Sequence, residues 1–387
     1  MSFATDTDPR DSEERAMLRD AAARYVERDC TFESRRAALA LPEGFSRERW
    51  RAFADMGWLA LGLPEDCGGL GDAGDAEVVA LALGRALAPE PWLANVGLAA
   101  PLLAGLRAQA GGGAREDRCA THLESLATGA RLYALAAWEP QGRHDAFDVR
   151  TRAVRDGDGW RLDGVKTLVL GGGAADVLLV VARESGAPRE PGGLAVFGVP
   201  ADAPGLSRRA LPTYDGRQTA DLRLDGVPVP ADARLSGTGD AWPALEQAVD
   251  TATALACAEA VGAMQAVLET TRTYLQQRRQ FGRPLAANQV LRHRLVDLYA
   301  DIEQSRAIAG VAVARLGDAP AARRRAVSLA KAFVGPAARR CGEEGIQLHG
   351  AIGMTDEVVI GHLAKRLVGF ANLLGDEAWH LERLAPA

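Results

Sequence analysis

Two segments of this 387-residue chain carry the residue types that grip a phosphate. The first reads YLQQRRQFGRPLAANQ, Tyr274 to Gln289, and places Arg278, Phe281 and Gln289 around a glycine and a proline. The second reads GIQLHGAIGMTDE, Gly345 to Glu357, and offers Gln347, His349 and Gly350. A guanidinium donates two parallel hydrogen bonds to phosphate oxygens, a glycine lets backbone approach a ligand closely, and an aromatic ring covers an apolar edge. Together the segments predict a site for a phosphate-bearing aromatic cofactor, a flavin nucleotide. His349 lies inside the second segment, where a packed or cofactor-edge imidazole is expected rather than a catalytic one.

Three kinds of element must position these residues. From about residue 11 to Leu132 the pattern is helical, with Ser12 able to cap EERAMLRDAAARYVERDC and a glycine-rich loop, PEDCGGLG, between helices. From Tyr133 to about Leu235, short β-prone runs such as DVLLVVARES and GLAVFGVP alternate with turn residues and predict an antiparallel β domain. From Ala241 onward the helical period returns, with Val261, Met264, Leu268 and Leu275 on one stripe and Leu291, Leu295, Leu298 and Ile302 on another. The fold class expected is α+β: residues 1–132 helical, 133–237 a middle antiparallel β-barrel or sandwich, and 238–387 a C-terminal four-helix bundle.

Composition narrows the function classes. A formal charge of -6 and pI near 5.7 give no support to nucleic-acid binding, and the run Arg323-Arg324-Arg325 reads as a solvated helix face. Five dispersed cysteines without C-x-x-C spacing argue against a disulfide framework or a metal site and fit a reducing cytoplasm. The polar, acidic N-terminus and the lack of a long apolar run predict neither export nor membrane anchoring.

The order helices, β domain, bundle, with R-x-x-F-G-x-P-L in the bundle and Q-x-x-G-x-x-G after it, resembles the acyl-CoA dehydrogenase family. MGWLALGLPEDCGGLG, Met56 to Gly71, is similar to the family's N-terminal signature, and the tail is similar to the small subunits named for pimeloyl-CoA dehydrogenases. The resemblance implies FAD shared between two subunits, with Arg278, Phe281, Gln289, Gln347 and the backbone at Gly350 supplied to its adenine and pyrophosphate end. It also implies an acyl-CoA substrate, an electron-transfer protein as acceptor, and a homo- or hetero-oligomer built as a dimer of dimers. The alanines Ala307, Ala309 and Ala312 would let helices approach closely in such an assembly.

The chemistry of that family needs a carboxylate to take the α-proton of the thioester. By its spacing the base falls at Leu374, before Gly375, and the second position used by some members falls at Ala252. Neither side chain accepts a proton. Replacement carboxylates are Asp376 and Glu377, beside Leu374, and Asp250, two residues before Ala252. The ring-contacting stretches differ too: WEPQGRHD keeps Glu139 and Pro140 but opens on Trp138, and KTLVLGG puts Leu168 and Leu170 at the family's Trp and Thr positions. The expected function is therefore α,β-dehydrogenation of bulky or dicarboxylic acyl-CoA thioesters, with this chain as a base-lacking supporting subunit. The alternatives are a self-sufficient enzyme with a displaced base, or a flavin-dependent oxidase or monooxygenase on the same fold.

Overall fold

The computed structural model describes residues 12–237 and 241–385, so the polar segment up to residue 11 lies outside the described residues. Helix α1, Glu13–Asp29, starts where Ser12 accepts the amide of Arg15 at 3.2 Å, one orphan donor of the first turn thus being satisfied. Helices α2, Phe32–Leu39, and α3, Arg47–Asp55, follow, capped by Thr31 and Ser46. The expected glycine-rich loop contains one 3-10 turn, Glu65–Cys67, and ends at Asp72, which forms a reciprocal capping box with Asp75 at the start of α4, Ala73–Arg85. Pro89 and Pro91 break the chain as expected. The next segment, Leu93–Ala99, winds as a π-helix and runs into α5, Ala100–Ala110, before α6, Ala114–Ala127.

Seven strands form the middle layer: β1, Tyr133–Ala136; β2, Arg152–Asp156; β3, Gly159–Leu170; β4, Val177–Arg183; β5, Leu194–Pro200; β6, Leu206–Pro212; and β7, Gln218–Val229. Their order is β1-β4-β2-β3-β7-β6, with β5 on the other side of β4. Most pairs are antiparallel, but β1 runs parallel to β4, Tyr133 facing Val177, and β2 meets β4 in parallel at Arg152 and Arg183. β1 and β2 lie in the same direction along β4, and the excursion of residues 137–151 joins one to the other. β4 is buried along its whole length, which accounts for its unbroken apolar run.

The third layer is a bundle of α7, Trp242–Gln277; α8, Gln289–Ala314; α9, Pro320–His349; and α10, Val359–Asn372, with a short α11, Glu377–Leu384, laid on α9. A tiny hairpin, β8, Arg279–Gln280, and β9, Arg283–Pro284, joins α7 to α8. Helix α7 is apolar and long enough to cross a membrane, yet 83% of its most apolar window is buried inside the protein, which makes it the core helix of the bundle. Val261, Met264, Leu268 and Leu275 all point inward, as their spacing predicts.

Two expectations need correction. Arg323 is buried rather than solvated, because Asp250 at 2.8 Å draws it between α7 and α9, and Arg324 reaches Glu246 at 2.6 Å. Ala309 and Ala312 are spent on packing within this chain's own bundle, leaving only Ala307 on an outer face.

Candidate functional site

The two segments expected to grip a phosphate come to one end of the bundle. The Tyr274 hydroxyl donates to the His349 carbonyl at 3.2 Å, and the two rings stack with centroids 4.4 Å apart. Tyr274 lies one turn before Arg278, and His349 stands between Gln347 and Gly350, so this contact ties the motifs together across 75 residues of sequence. Helix α8 is fastened to α9 at the same end by Arg294, whose Nη2 donates to Glu344 at 2.6 Å. The His349 Nδ1 lies 2.8 Å from the Gly345 carbonyl, which can only accept, so Nδ1 carries the proton. Burial pulls this imidazole below its ordinary value, which suits a neutral packed ring.

The side chains on that end are presented to solvent. Arg278 is exposed and its guanidinium meets no partner among the described residues. Phe281 and Gly282 turn the hairpin with φ of 52° and 78°, the left-handed pair that matches the twist of two short strands. For a phenylalanine this conformation is strained, and it leaves the ring 98% exposed. Gln289 and Gln347 are exposed too. Gly350 has φ 69° and ψ -148°, a region that only glycine occupies readily. A Cβ there would meet nothing within 4 Å, so the approach to the backbone is open. These groups fit the charged end of a dinucleotide.

The wall on which a flavin ring would rest is less equipped. Glu139 is buried beneath it and accepts Lys166 Nζ at 2.7 Å and the amides of Arg150 and Thr151 at 2.8 and 2.9 Å. Burial opposes its charge, but Lys166 prevails and holds the carboxyl down to about 2, while burial pulls Lys166 itself down to about 8. This pair shapes the loop 140–150 and touches no solvent. Trp138 spends its Nε1 donor on the His144 carbonyl at 3.2 Å. Asp221 takes the Thr167 hydroxyl at 2.9 Å and the Leu168 amide at 3.1 Å, so the donors beside Leu168 are occupied. Leu168 is exposed at φ 49°, and Leu170 lines a space of about 20 Å³ with Phe45, Glu90, Leu93 and Arg217, room for about one water molecule.

At the two positions where the resemblance places a base, the structure offers no acid. Leu374, φ 57°, is half-buried against the main core, and Ala252 is fully buried. Gly97 of the π-helix lies directly on Ala252: a Cβ built on Gly97 would stand 3.4 Å from the Ala252 Cα. Asp250 faces the other way, two residues or about 200° around the helix, and is held by Arg323 at 2.8 Å and Arg383 at 3.0 Å. Asp376 caps α11 by accepting the Trp379 amide at 2.8 Å, and that hydrogen bond keeps its carboxyl below the usual range. Glu377 is exposed in the first turn of α11. The geometry thus commits two of the three candidate carboxylates to structure.

Several residues around the site escape sequence reasoning. Tyr274 opens the first segment with no role of its own there, and gains one only through its stack on His349. Asn95, fully buried in the π-helix, accepts the Tyr133 amide at 2.8 Å and so anchors β1 to the helical layer. Lys331 and His380 hold the loop at Leu374 from below, and a lysine in an apolar helical stripe was the one signal available.

Comparison with known proteins agrees along nearly the whole chain. The models for the acyl-CoA dehydrogenase N-terminal, middle and C-terminal domains match residues 12–109, 134–227 and 239–387. Acyl-CoA dehydrogenase IpdE2 of Mycolicibacterium smegmatis is 30% identical over 377 residues, covering 96% of this chain and 98% of that protein. Acyl-CoA dehydrogenase FadE27 of Mycobacterium tuberculosis is 32% identical over 374 residues, covering 93% and 92%. Among solved structures, the ChsE4-ChsE5 complex from Mycobacterium tuberculosis superposes with a TM-score of 0.84 at 28% identity, covering 97% of this chain and 99% of that one. A chain of the Tcur3481-Tcur3483 steroid ACAD gives a TM-score of 0.82 at 30% identity, with 96% of each chain covered.

Proposed function

The chain belongs to the acyl-CoA dehydrogenase family, and from that membership we propose that it is the base-lacking supporting subunit of a hetero-oligomer. Members of the family are FAD-dependent oxidoreductases acting on CH-CH bonds, and FAD when bound supplies the hydride acceptor. In this reading Arg278, Phe281, Gln289, Gln347 and the backbone at Gly350 hold the phosphate end of a cofactor whose ring rests on a partner. One contrast supports the proposal: the end expected to grip a phosphate is assembled and exposed, with Arg278 unpaired among the described residues, while Leu374 and Ala252 stand where the resemblance places a base. Two matching solved structures are complexes of two differently named chains, which supports the hetero-oligomeric form. A dimer of dimers, a cytoplasmic location consistent with five free, buried cysteines, and electron delivery to a carrier protein complete the reading.

The substrate in this reading is a bulky acyl-CoA thioester. The likeness to the Tcur3481-Tcur3483 steroid ACAD supports that class, and the leucines at 168, 170 and 374 would give any cavity an apolar lining. The test is to purify the chain alone and together with a Glu-bearing relative encoded beside it, then to measure acyl-CoA oxidation with an artificial acceptor. Turnover is expected only for the pair. Robust turnover by the lone chain overturns the proposal.

A further inference from the structure

Lys331, on α9, is completely buried, and no carboxylate pairs with it among the described residues. Its Nζ donates to the Gly375 carbonyl at 2.6 Å and to the Ala371 carbonyl at 3.2 Å, and lies 4.7 Å from the centre of the Phe370 ring. Burying an ammonium is costly when its acidic help, from Cys257 and Asp376, comes without an ion-pair contact, and a methionine would fill the same volume without that cost. Part of the cost is met by the end of α10, whose last carbonyls are orphaned and carry the negative pole of the helix. Beside it, His380 Nε2 lies 3.0 Å from the Leu374 carbonyl, and its Nδ1 lies 3.3 Å from Ser328. Three carbonyls, those of Ala371, Leu374 and Gly375, are therefore held from below by two buried side chains of α9 and α11.

The backbone above this clamp is in an unusual state. Leu374 and Gly375 have φ of 57° and 109°, consecutive left-handed residues that turn the chain from α10 into α11. Gly375 is obligatory for a second reason, because a Cβ there would stand 2.5 Å from Trp379 and 2.6 Å from His380. A leucine has no need of such support, since it fills apolar space equally well from a relaxed backbone. We propose that Lys331 is a positioning residue, which with His380 fixes the α10–α11 turn so that a carboxylate introduced at residue 374 acts as a base without any rebuilding of the loop. The chain has kept the mount of the base and lost the base itself. This inference rests on the supporting-subunit reading, in which residue 374 is chemically silent in the natural sequence.

Proton transfer can be read apart from flavin turnover. The probe is an acyl-CoA with sulfur at the β-position, which has an acidic α-proton and no hydride to give. The full-length chain with FAD is incubated with it in deuterated water, and deuterium at the α-carbon is followed by mass spectrometry. In the step tested, the introduced carboxylate takes the α-proton, the C–H electron pair stays on the thioester as its enolate, and the carboxyl, exchanged with solvent, returns a deuteron. No electron leaves the substrate. Leu374→Glu is expected to raise the limiting exchange rate about 100-fold over the natural chain, the lower end of what a positioned base contributes. Adding Lys331→Met is expected to remove at least about tenfold of that gain while the half-saturating thioester concentration stays within about twofold, as a positioning role requires. Should the lysine variant fail to fold, His380→Asn in the same background reads the clamp from its other side.

No gain from Leu374→Glu in a folded, flavin-bound chain overturns the inference, and so does an unreduced gain in either clamp variant. Failure of the supporting-subunit reading looks different. It appears as turnover by the unaltered chain, before any substitution is made.

Discussion

At the scale of single residues, the site depends on backbone states that specific side chains cannot share. Gly350→Ala meets no steric contact from its Cβ, so its whole cost is the backbone conformation, about 1–3 kcal/mol. Thermal unfolding should show the loss even without flavin, and a change of melting temperature within error would contradict the assigned geometry. His380 gives a pH signature. Burial, then Lys331 and Arg383, hold it down to about 3, so the folded protein keeps it neutral where the unfolded chain protonates below its ordinary value of 6.5. Its contribution is complete above pH 6.5 and is lost as pH falls toward 3, at about 1.4 kcal/mol per unit. Denaturant titrations across that window should be shallower for His380→Gln, and equal slopes would refute the assignment. The roles proposed for Arg278, Phe281 and Gln347 come from residue type and motif, because phosphate recognition draws on so few side chains; the structure adds that all three are exposed. Tyr274 and Lys331 were not legible in that way, since a phenol and an amine on long helices acquire their roles only from groups many residues away.

At the scale of elements, the two base positions are predicted to respond in opposite ways to the same substitution. Ala252→Glu would force a long, unpaired carboxylate between α7 and the π-helix backbone at Gly97, and is expected to cost more than about 3 kcal/mol. Leu374→Glu, on a half-exposed turn, is expected to cost less than about 1.5 kcal/mol, and melting curves of the two variants compared side by side test the contrast. Helix starts were readable because Ser12 and Asp72 are capping residues in the right place, and the inward stripes of α7 follow the helical period. The π-helix was not readable, for PWLANVGLAA is apolar on every side and holds no periodic signal. Nor was the parallel pairing of β1 with β4, because β2 and β3 separate the two strands in the chain and neither strand's own residues name its partner. The misread Arg323 shows the same limit: a run of arginines looks solvated until the acids of another helix are placed against it.

At the scale of the whole molecule, one ion network joins all three layers. Arg366 of α10 and Arg217 of the β6–β7 turn share the Oε1 of Glu259 on α7 at 2.6 and 2.9 Å, and Arg35 of α2 reaches the Asp215 carbonyl at 3.3 Å. Burial opposes the charge on Glu259, but Arg217 and Arg366 outweigh it and hold the carboxyl below its ordinary value, while burial pulls Arg35 down to about 10. Glu259→Gln leaves buried guanidiniums short of an anion and is expected to cost about 3–5 kcal/mol, read by denaturant unfolding. An effect below about 1 kcal/mol would mean that the layers are held by apolar packing alone. The overall order of layers was legible because composition changes sharply at both junctions, whereas this cross-layer network was scattered over 330 residues and left no local mark. The strained hairpin at Phe281 has a different consequence. A benzyl group propped on a costly turn and surrounded by water is an unfinished surface, so the solitary polypeptide should be adhesive: it should self-associate as concentration rises, and replacing the phenylalanine by serine should keep it dispersed.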